Sequence, residues 1–562
     1  MAAQPRNGEL IVAKLKPLHF LPLGGAGEIG MNLNLYEYDG HWLMCDLGIT
    51  FAGDELPGID LVMPDVSYIA KRKEGLVGLV ITHGHEDHLG AVPYLWPLLR
   101  CPVFATPFAA ALLRRKVEEG AEGIEDMVIT EVPLSGTIDL DPFHIELITL
   151  THSIPEPNAL VVHTPHGSIM HTGDWKLDPD PLISEPTDEA ALEKIGDDGV
   201  LAMVCDSTNV FSPGTSGSEA DVRRSLTELV GEMSGRVIVT TFASNLARLL
   251  TIHEAAAANG RSCVGAGRSI WRILDCAREA GYLPKGVRFL NDRDARDLPK
   301  DKVLYMMTGC QGEGNAALSR AADGNHPTIG LSSGDTVIFS SKIIPGNEKN
   351  IFDLINRLTR LNVDVITEKD RFVHVSGHPN RDELARMYQL IRPTIAVPVH
   401  GELRHLREHA ALAHALQVPE TLTIENGTMV RLAPGKPEVV DHVEHGRVAW
   451  NGRGTIPVNG NVIKERRRLM LNGAAFVTLV LNGEGELLAD PTVSAHGLLE
   501  NGADQEIIDD LIDDAIDAVE GLPNPRRNDD DAIVESVRVA VRRALRSAFN
   551  RRPVVEVQLV RV

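Results

Sequence analysis

The chain has 562 residues, 43% of them apolar and 24% charged, with a net charge of −23. A chain of this length exceeds one hydrophobic core and predicts several domains. The acidic balance argues against a protein that coats nucleic acid non-specifically, but it does not exclude an enzyme that needs only a local positive field.

Membrane and secretion signals are not apparent. No run approaches the ~18 to 20 consecutive apolar residues of a membrane span. The first residues lack a basic stretch followed by an apolar one, so no secretion signal is predicted. The six cysteines are scattered, and none forms a CxxC pair: Cys45, Cys101, Cys205, Cys263, Cys276 and Cys310. We predict that they are free thiols in a reducing cytoplasm.

Short apolar runs alternate with Gly, Pro and Asp between residue 18 and about 207. Strands are predicted for HFLPLG, NLNLYEY, HWLMCDLG, LVGLVITH, HIELITLTH, ALVVHT, SIMHTGDW and LAMVCDST, with a helix at PFAAALLRRKVEEG. This pattern indicates a sheet-rich α/β domain over 1–207, with its polar residues at strand ends.

Helices and strands then alternate over 208–372, as in a βαβ unit with a parallel sheet. Strands ending in polar residues return at 373–450, with RFVHVSGH and TIAVPVHGE, so the middle block is interpreted as an insertion into the first domain. A linker is predicted at 451–467 and a separate C-terminal domain at 468–562. The acidic stretch at 504–520 and the arginine-rich one at 536–552 predict solvated helix faces, a self-association interface or an RNA-contacting face.

The segment LVITHGHEDHLG predicts a metal site. A β-branched run ends in four potential ligands within six residues, His83, His85, Asp87 and His88. Histidines two apart on an extended segment project to one side and can hold one metal, while the pair after the turn can face a second. The alternative is a polar turn with three chance histidines.

One motif cannot complete a metal coordination shell, and three later strands end in further potential ligands. LITLTHSIP ends in His152, SIMHTGDW delivers Asp174, and TIAVPVHGE delivers His400. A lone histidine at a strand end is usually a polar cap. Three such residues in this order after the first motif favour a metal site instead.

The sequence Gly25-Ala26-Gly27-Glu28-Ile29-Gly30 fits a GxGxxG dinucleotide-binding pattern. That motif requires a helix to begin at its last glycines. Here MNLNLYEYDG follows and alternates like a strand, so a strained hairpin turn is predicted rather than a nucleotide site.

Together, these motifs resemble metallo-β-lactamase-fold hydrolases, and more narrowly the β-CASP nucleases of the ribonuclease J family. The similarity rests on GGAGEIGMN at 24–32, ITHGHEDHLGA, THSIP, HTGDWK, CDSTN, TTFASN, IPGNE at 344–348, HVSGHP and PVHGE. It implies an α/β fold: a metallo-β-lactamase αββα sandwich, an inserted β-CASP α/β domain and a small α+β C-terminal domain. Glu156-Pro157 after HSIP departs from the family pattern.

The resemblance also implies roles for individual residues. It places His83, His85 and His152 on one metal, Asp87, His88 and His400 on the other, and Asp174 between them. Asp46 would orient a ligand histidine, and His378 would donate a proton to the leaving group, working with Asp206. Substrate contacts are implied for His374, Val375, Ser376, Gly377 and His378, with Ser244 and Asn245 as further candidates.

The function expected from this resemblance is metal-dependent RNA cleavage in RNA maturation and decay. Two divalent ions are implied, zinc or alternatively manganese, acting on single-stranded RNA. A 5′→3′ exonuclease on 5′-monophosphate ends is expected, with endonuclease activity as a second mode. A homodimer or higher oligomer, a cytoplasmic location and a degradation complex are further expectations. The alternatives are a DNA-processing nuclease, a small-molecule ester, thioester or lactam hydrolase, and a non-catalytic RNA-binding relative.

Overall fold

A computed structural model describes residues 15–53, 55–119, 123–499 and 505–562. The described chain divides into two compact units. The first runs to Thr50 and resumes over Met63–Gly446, and the second comprises Phe51–Val62 and Arg447–Val562.

Two mixed sheets form the centre of the first unit. The eight-stranded sheet has the order Glu438–His442, Thr428–Ala433, Leu18–Gly24, Leu33–Tyr38, His41–Cys45, Leu76–Val80, Val103–Ala105, Ile129–Glu131. The seven-stranded sheet has the order Thr137–Leu140, Phe143–Thr149, Asn158–Thr164, Gly167–His171, Val200–Asp206, Ile395–Val399, Glu420–Thr421. All eight strands predicted between residues 18 and 207 are present.

Alternating apolar residues from the two sheets pack into one core. Phe20 and Leu43 of the first sheet share this core with Ile145, Val204 and Val397 of the second. The other face of the second sheet packs against helices through a further buried cluster. The helices of this domain are Ser67–Ala70, Glu86–Leu89, Val92–Leu99, Pro107–Glu118, Glu189–Asp198, Arg381–Ile391 and Leu403–Ala415. This arrangement confirms the predicted sandwich fold.

Between the strands Val200–Asp206 and Ile395–Val399 the chain builds a second α/β layer. Its six-stranded sheet is parallel, in the order Leu290–Asn291, Ser262–Ala266, Val303–Met307, Val237–Thr240, Thr336–Phe339, Asp364–Ile366. Its helices are Glu219–Glu232, Leu246–Ala258, Arg268–Glu279, Ala317–Ala322 and Glu348–Arg360. The two flanking strands pair in parallel, so the insertion leaves the sandwich sheet continuous.

The described residues of the second unit form two small sheets and three α-helices. One sheet has the order Thr455–Pro457, Arg447–Trp450, Leu61–Pro64, Thr50–Phe51, and the other Thr492–His496, Ala474–Leu481, Val554–Arg561. The helices are Asn461–Asn472, Gln505–Glu520 and Asp530–Phe549. The segment 451–467, predicted as a linker, contains the strand Thr455–Pro457 and the first part of the helix Asn461–Asn472. Ile463 is buried and anchors that helix.

The charged stretches of the C-terminal domain are amphipathic helices. Leu511, Ala515 and Val519 of the acidic helix and Val537 and Val541 of the arginine-rich helix are buried in the core of this unit. Their charged residues lie mainly on the outer faces. All six cysteines of the chain are buried and free. Among the described residues, no helix has the length and apolar character to cross a bilayer.

A buried histidine predicts acid sensitivity of the first unit. His409 bonds Ser207 Oγ through Nδ1 at 2.8 Å and Tyr388 Oη through Nε2 at 2.9 Å. Burial lowers the pKa of His409 from 6.5 to about 4. The unfolded chain therefore binds a proton first as the pH falls, and we expect this group to cost about 3 kcal/mol of stability between pH 6.5 and 4.

The variant His409→Gln isolates this effect, because glutamine keeps hydrogen-bonding capacity but does not titrate. The melting temperatures of variant and parent should converge as the pH falls from 7.5 to 4.5. Parallel pH profiles for the two proteins would contradict the assignment.

Candidate active site

The first histidine motif lies where the strand Leu76–Val80 ends. The chain leaves the sheet after Val80, presents His83 and His85, and then enters the short helix Glu86–Leu89, which carries Asp87 and His88. His83 and His88 are buried, whereas Asp87 is partly exposed. The motif thus presents two potential ligands before the helix, His83 and His85, and two within it, Asp87 and His88.

One group of potential ligands comprises His83, His85, His152 and Asp174, whose donor atoms all lie within 4.8 Å of one another. His83 Nε2 and His152 Nε2 each lie 3.1 Å from His85 Nδ1. Ligand nitrogens around a tetrahedral zinc, with bonds of about 2.0–2.1 Å, would be separated by about 3.3 Å. The observed spacing fits a metal ion of that size.

Hydrogen bonds behind these histidines fix which nitrogen carries the proton. His152 Nδ1 donates to the carbonyl of Gly377 at 2.5 Å, because a carbonyl can only accept. Thr82 Oγ1 donates to Asp46 Oδ2, so His83 Nδ1, 3.0 Å from that hydroxyl, is the donor to it. Both Nε2 atoms therefore direct lone pairs at His85. A cation among them relieves that repulsion, so the donor set fits a metal.

A second group comprises Asp87, His88, Asp174 and His400, again within 4.8 Å. His88 Nε2 lies 3.2 Å from Asp174 Oδ2, and His400 Nε2 lies 3.2 Å from Asp87 Oδ2. Asp174 belongs to both groups, which is the position a bridging carboxylate requires. The structure therefore brings all seven predicted ligands together.

Asp46 supports the second group from behind. Its Oδ2 accepts a hydrogen bond from His88 Nδ1 at 2.7 Å, and its Oδ1 accepts one from the backbone N–H of Thr82 at 2.8 Å. The side chain is fully buried. Asp46 thus holds the His88 ring with Nε2 facing the site, as expected for a residue that orients a ligand.

Burial and charge divide the histidines into two classes. Burial, reinforced by neighbouring imidazoles, lowers the pKa of His83 and His152, and it lowers the pKa of His85 to about 4. These rings are neutral and available as ligands. For His88 and His400, burial opposes protonation, but the carboxylates around them, above all Asp174, outweigh it and raise the pKa.

His378 and Asp206 form a third group with Asp174 and His400, whose potential ligand atoms also lie within 4.8 Å of one another. His378 Nδ1 lies 2.8 Å from Asp206 Oδ2, and the His378 ring stacks on His400 at 5.5 Å. Burial lowers the pKa of His378, but the charges of Asp206 and Asp174 outweigh it, so the pKa is raised. The raised pKa favours imidazolium, the form that a proton donor needs.

Sequence reasoning missed Thr208, in the CDSTN motif. Thr208 Oγ1 donates to Asp206 Oδ1 at 2.7 Å and therefore accepts from His400 Nδ1 at 2.8 Å. Its backbone N–H also bonds Asp206. Thr208 thus fixes His400 with Nε2 free for a metal. Its position two residues after Asp206 was the only sequence signal.

We expect Thr208→Val to weaken metal binding while preserving the fold. Valine keeps the shape but cannot accept the His400 proton, and lost outer partners of ligand histidines typically cost about 10- to 100-fold in metal affinity. Competition with a zinc chelator measures the change. Thr208→Ser, which keeps the hydroxyl, should bind zinc like the parent; equal affinity of the valine variant would rule out this role.

The segment HVSGH differs from its prediction. It was expected to be a strand, but residues 372–378 form no strand in the structure. Side chains hold it instead: Asn209 Nδ2 donates to Ser376 Oγ at 2.7 Å and to the carbonyl of His378 at 3.1 Å. A Cβ on Gly377 would lie 2.9 Å from the His152 ring, so only glycine permits this approach.

The other predicted substrate residues differ in which of their polar atoms remain available to bind a ligand. Ser376 Oγ accepts two hydrogen bonds, from Asn209 and from the His378 backbone, so its own proton remains to be donated. His374 is kept neutral because burial, together with the charges of Arg248, Lys342 and Lys176, lowers its pKa. Its Nδ1 is buried and has no hydrogen-bond partner among the described residues. The Val375 side chain is buried, which leaves only its backbone for a ligand.

Ser244 and Asn245 lie at the start of the helix Leu246–Ala258. Ser244 is half-buried. Asn245 is buried, its Oδ1 caps the N–H of Arg248, and its Nδ2 donates to Glu219. The Asn245 amide is thus engaged inside the insertion, and its contact with substrate stays a prediction.

The glycine loop positions the last metal ligand. Gly25, with φ of 82°, directs its carbonyl to the backbone N–H of His400 at 2.6 Å, and Ala26–Gly27 pairs in parallel with Gly401–Glu402. The chain then returns as the antiparallel strand Leu33–Tyr38. The predicted turn is present, and the helix that a pyrophosphate site needs is replaced by a strand.

Glu156, the departure from the family pattern, is buried with φ of 61°. Its carboxylate accepts from the backbone N–H of Phe108 at 2.7 Å and from Tyr282 Oη at 2.9 Å. It thus ties the sandwich to the insertion and leaves the ligand positions unaffected.

Comparisons with known proteins agree with this site. Residues 31–203 match the metallo-beta-lactamase superfamily, 234–358 the beta-CASP domain of ribonuclease J, 362–425 the Zn-dependent metallo-hydrolase RNA specificity domain and 461–562 the ribonuclease J C-terminal domain. Ribonuclease J of Sinorhizobium meliloti is 44% identical over 98% of both chains. That of Mycolicibacterium smegmatis is 37% identical over 96% of both.

A crystal structure of a protein of unknown function from Enterococcus faecalis V583 is similar with a TM-score of 0.52 and 16% identity, over 74% of this chain and 99% of that one. At this identity the likeness concerns the fold alone. Fold and site together define a metallo-β-lactamase-fold nuclease with a β-CASP insertion. The full-length similarity identifies the family: the chain belongs to the ribonuclease J family. It is a metal-dependent ribonuclease, and the DNA-nuclease, small-ester and non-catalytic alternatives are set aside.

Proposed function

We propose that this ribonuclease degrades single-stranded RNA from 5′-monophosphorylated ends in the 5′→3′ direction, with internal cleavage as a second mode, in RNA maturation and decay. The observation that supports this most directly is the position of the segment from His374 to His378. Its end lies against the ligand groups: the carbonyl of Gly377 accepts a hydrogen bond from His152, and the His378 ring stacks on His400.

Two divalent cations would occupy the two ligand groups that share Asp174. Neutral imidazoles with carboxylates suit zinc and also accept manganese. When bound, such a pair activates water and stabilises negative charge on a phosphoryl group. The net charge of −23 makes this local positive field necessary for binding a polyanion.

The chain's own residues would then handle the proton and the leaving oxygen. The departing ribose 3′-oxygen is a poor leaving group and benefits from a donor. His378 is bonded to Asp206 through Nδ1, which leaves Nε2 for the substrate. Asp206 holds the ring in place and stabilises its charged form.

A 5′-phosphate fits the donors of the segment 374–378. Ser376 has a free hydroxyl proton, His374 carries a neutral imidazole, and backbone N–H groups complete the set. Phosphates accept hydrogen bonds from such donors. Gripping the terminal phosphate here would place the first phosphodiester near His378.

The C-terminal domain would mediate self-association as a homodimer or higher oligomer. Exposed apolar side chains there, at Met470, Leu471, Phe476 and Val560, support this. A cytoplasmic location and participation in an RNA-degradation complex complete the proposal. Light scattering of the purified protein tests the dimer.

The decisive assay follows one RNA sequence with a 5′-monophosphate, a 5′-triphosphate or a 5′-hydroxyl, labelled uniformly along its length. Mononucleotides released at early times from the monophosphate form alone would support the proposal. Equal rates on all three ends, or internal fragments only, would refute the end preference.

A further inference from the structure

The segment from residue 373 to 378 is supported in an uncommon way. Within the described part of the chain, residues 372–379 belong to no strand, and no backbone-to-backbone hydrogen bond joins them to another element. Backbone groups that lack such partners must be satisfied by side chains or water. The conformation of this segment therefore depends on the side chains that bond it.

Arg248 is central among those side chains. It is fully buried in the first turn of the helix Leu246–Ala258. Its Nη1 donates to the carbonyl of Val373 at 3.1 Å and to Ser340 Oγ at 2.6 Å. Ser340 Oγ donates to the same Val373 carbonyl at 2.7 Å. Two donors from the insertion thus converge on the first residue of the segment.

A buried carboxylate fixes the other edge of the guanidinium. Glu219 accepts from Arg248 Nε at 3.1 Å and from Nη2 at 3.0 Å, a two-point contact that sets the plane of the arginine. Asn245 adds a hydrogen bond to the same carboxylate at 3.1 Å. Arg248 therefore has little freedom to leave Val373.

The same network continues to the metal-ligand loop. The backbone N–H of Glu219 donates to Asp178 Oδ2 at 3.0 Å, and Asp178 pairs with Lys176 at 2.8 Å, both side chains being buried. Lys176 follows Asp174 by two residues. Buried ion pairs and hydrogen bonds thus join the loop that carries Asp174 to Arg248 and to the start of the segment.

We propose that Arg248 is a positioning residue for recognition of the RNA 5′ end. It acts by holding Val373, and hence His374 and Ser376, at the distance from the metal ligands that a terminal phosphate requires. Arg248 does not touch RNA itself, because it is buried and its donors are engaged by Glu219, Ser340 and Val373. This inference rests on the proposed binding of the RNA 5′-phosphate by residues 374–378.

Two conservative variants test it, because deleting a buried charge leaves its partner unpaired and threatens folding. Arg248→Lys keeps the charge but loses the two-point geometry, and Ser340→Ala removes the second donor to Val373. We expect KM for a 5′-monophosphate RNA to rise about 10- to 100-fold, as for displaced substrate-positioning groups. The kcat, zinc content and KM for a 5′-hydroxyl twin should change little.

Arg236→Lys is the matched control. Arg236 is also a buried, ion-paired arginine of the insertion, but it bonds Asp335 and the carbonyl of Gly330 and no residue of the segment. Its variant should keep the parental ratio of the two KM values. An equal rise of KM for both RNA ends in Arg248→Lys, or the same change in the Arg236 variant, would overturn the proposal.

Hydrogen–deuterium exchange gives a readout that does not depend on RNA. Amides of 373–378 should exchange several-fold faster in Arg248→Lys and Ser340→Ala than in the parent and in Arg236→Lys. If the parent fails to distinguish the two RNA ends, the proposed function falls, and faster exchange would still support the positioning. Unchanged exchange in both variants refutes the positioning role.

Discussion

Replacing Asp174 by asparagine should lower the rate of RNA cleavage by at least about 1,000-fold. This loss exceeds the roughly 10- to 100-fold that is typical when a residue that only orients a metal ligand is changed. Asp174 is the one residue common to both ligand groups. Asparagine keeps its size but removes the negative charge that two cations would share. Bound metal should fall together with activity, measured by atomic emission after gel filtration.

Asp180→Asn is the control for this change, since Asp180 lies six residues further on and is exposed. It should retain parental metal content and activity. If the Asp174→Asn protein keeps its full complement of metal and its activity, Asp174 is not a ligand shared by two metal ions. Circular dichroism of each variant separates loss of metal from loss of fold.

His378→Gln should lower kcat on RNA by about 100- to 10,000-fold, the range typical of a lost general acid or base. The raised pKa of His378, caused by Asp206 and Asp174 against the effect of burial, keeps the ring charged and able to donate. Metal content should change little, because His378 Nδ1 is bonded to Asp206 and the variant keeps all seven predicted ligands.

The leaving group distinguishes proton donation from a structural role. A p-nitrophenyl phosphodiester departs without a proton, so His378→Gln should cleave it within about tenfold of the parent, whereas the RNA rate collapses. His144→Gln serves as control, because His144 also bonds an aspartate, Asp139, but its side chain is partly exposed on the strand Phe143–Thr149 and belongs to no ligand group. Equal losses on both substrates would rule out the acid role.

The fold was predictable from sequence because its determinants are local. Apolar runs such as LVGLVITH and LAMVCDST give buried strands, and each strand delivers a polar residue at its end. The ligands were predictable for the same reason, since His83, His152, Asp174 and His400 each follow such a run. The order of ligands along the chain, matched to a known family, supplied the rest.

Beyond Asp46 and Asp206, which the family resemblance implied, the supporting contacts could not be predicted, because they join residues far apart in sequence. The proton on His400 is fixed by Thr208, 192 residues earlier, and the carbonyl of Val373 is held by Arg248, 125 residues earlier. The apolar alternation in RFVHVSGH predicted a strand, but the segment is held by side chains and not by a ladder. An alternating apolar pattern indicates that one face of an extended segment is buried. It cannot distinguish a strand paired in a sheet from an extended segment that side chains hold in place.

Diffraction from crystals grown with zinc, recorded on both sides of the zinc absorption edge, tests the central claim most directly. The account predicts two anomalous peaks about 3.5 to 4 Å apart, one beside His83, His85 and His152 and the other beside Asp87, His88 and His400, with Asp174 between them. A single peak, or peaks that leave Asp174 without contact, would contradict it.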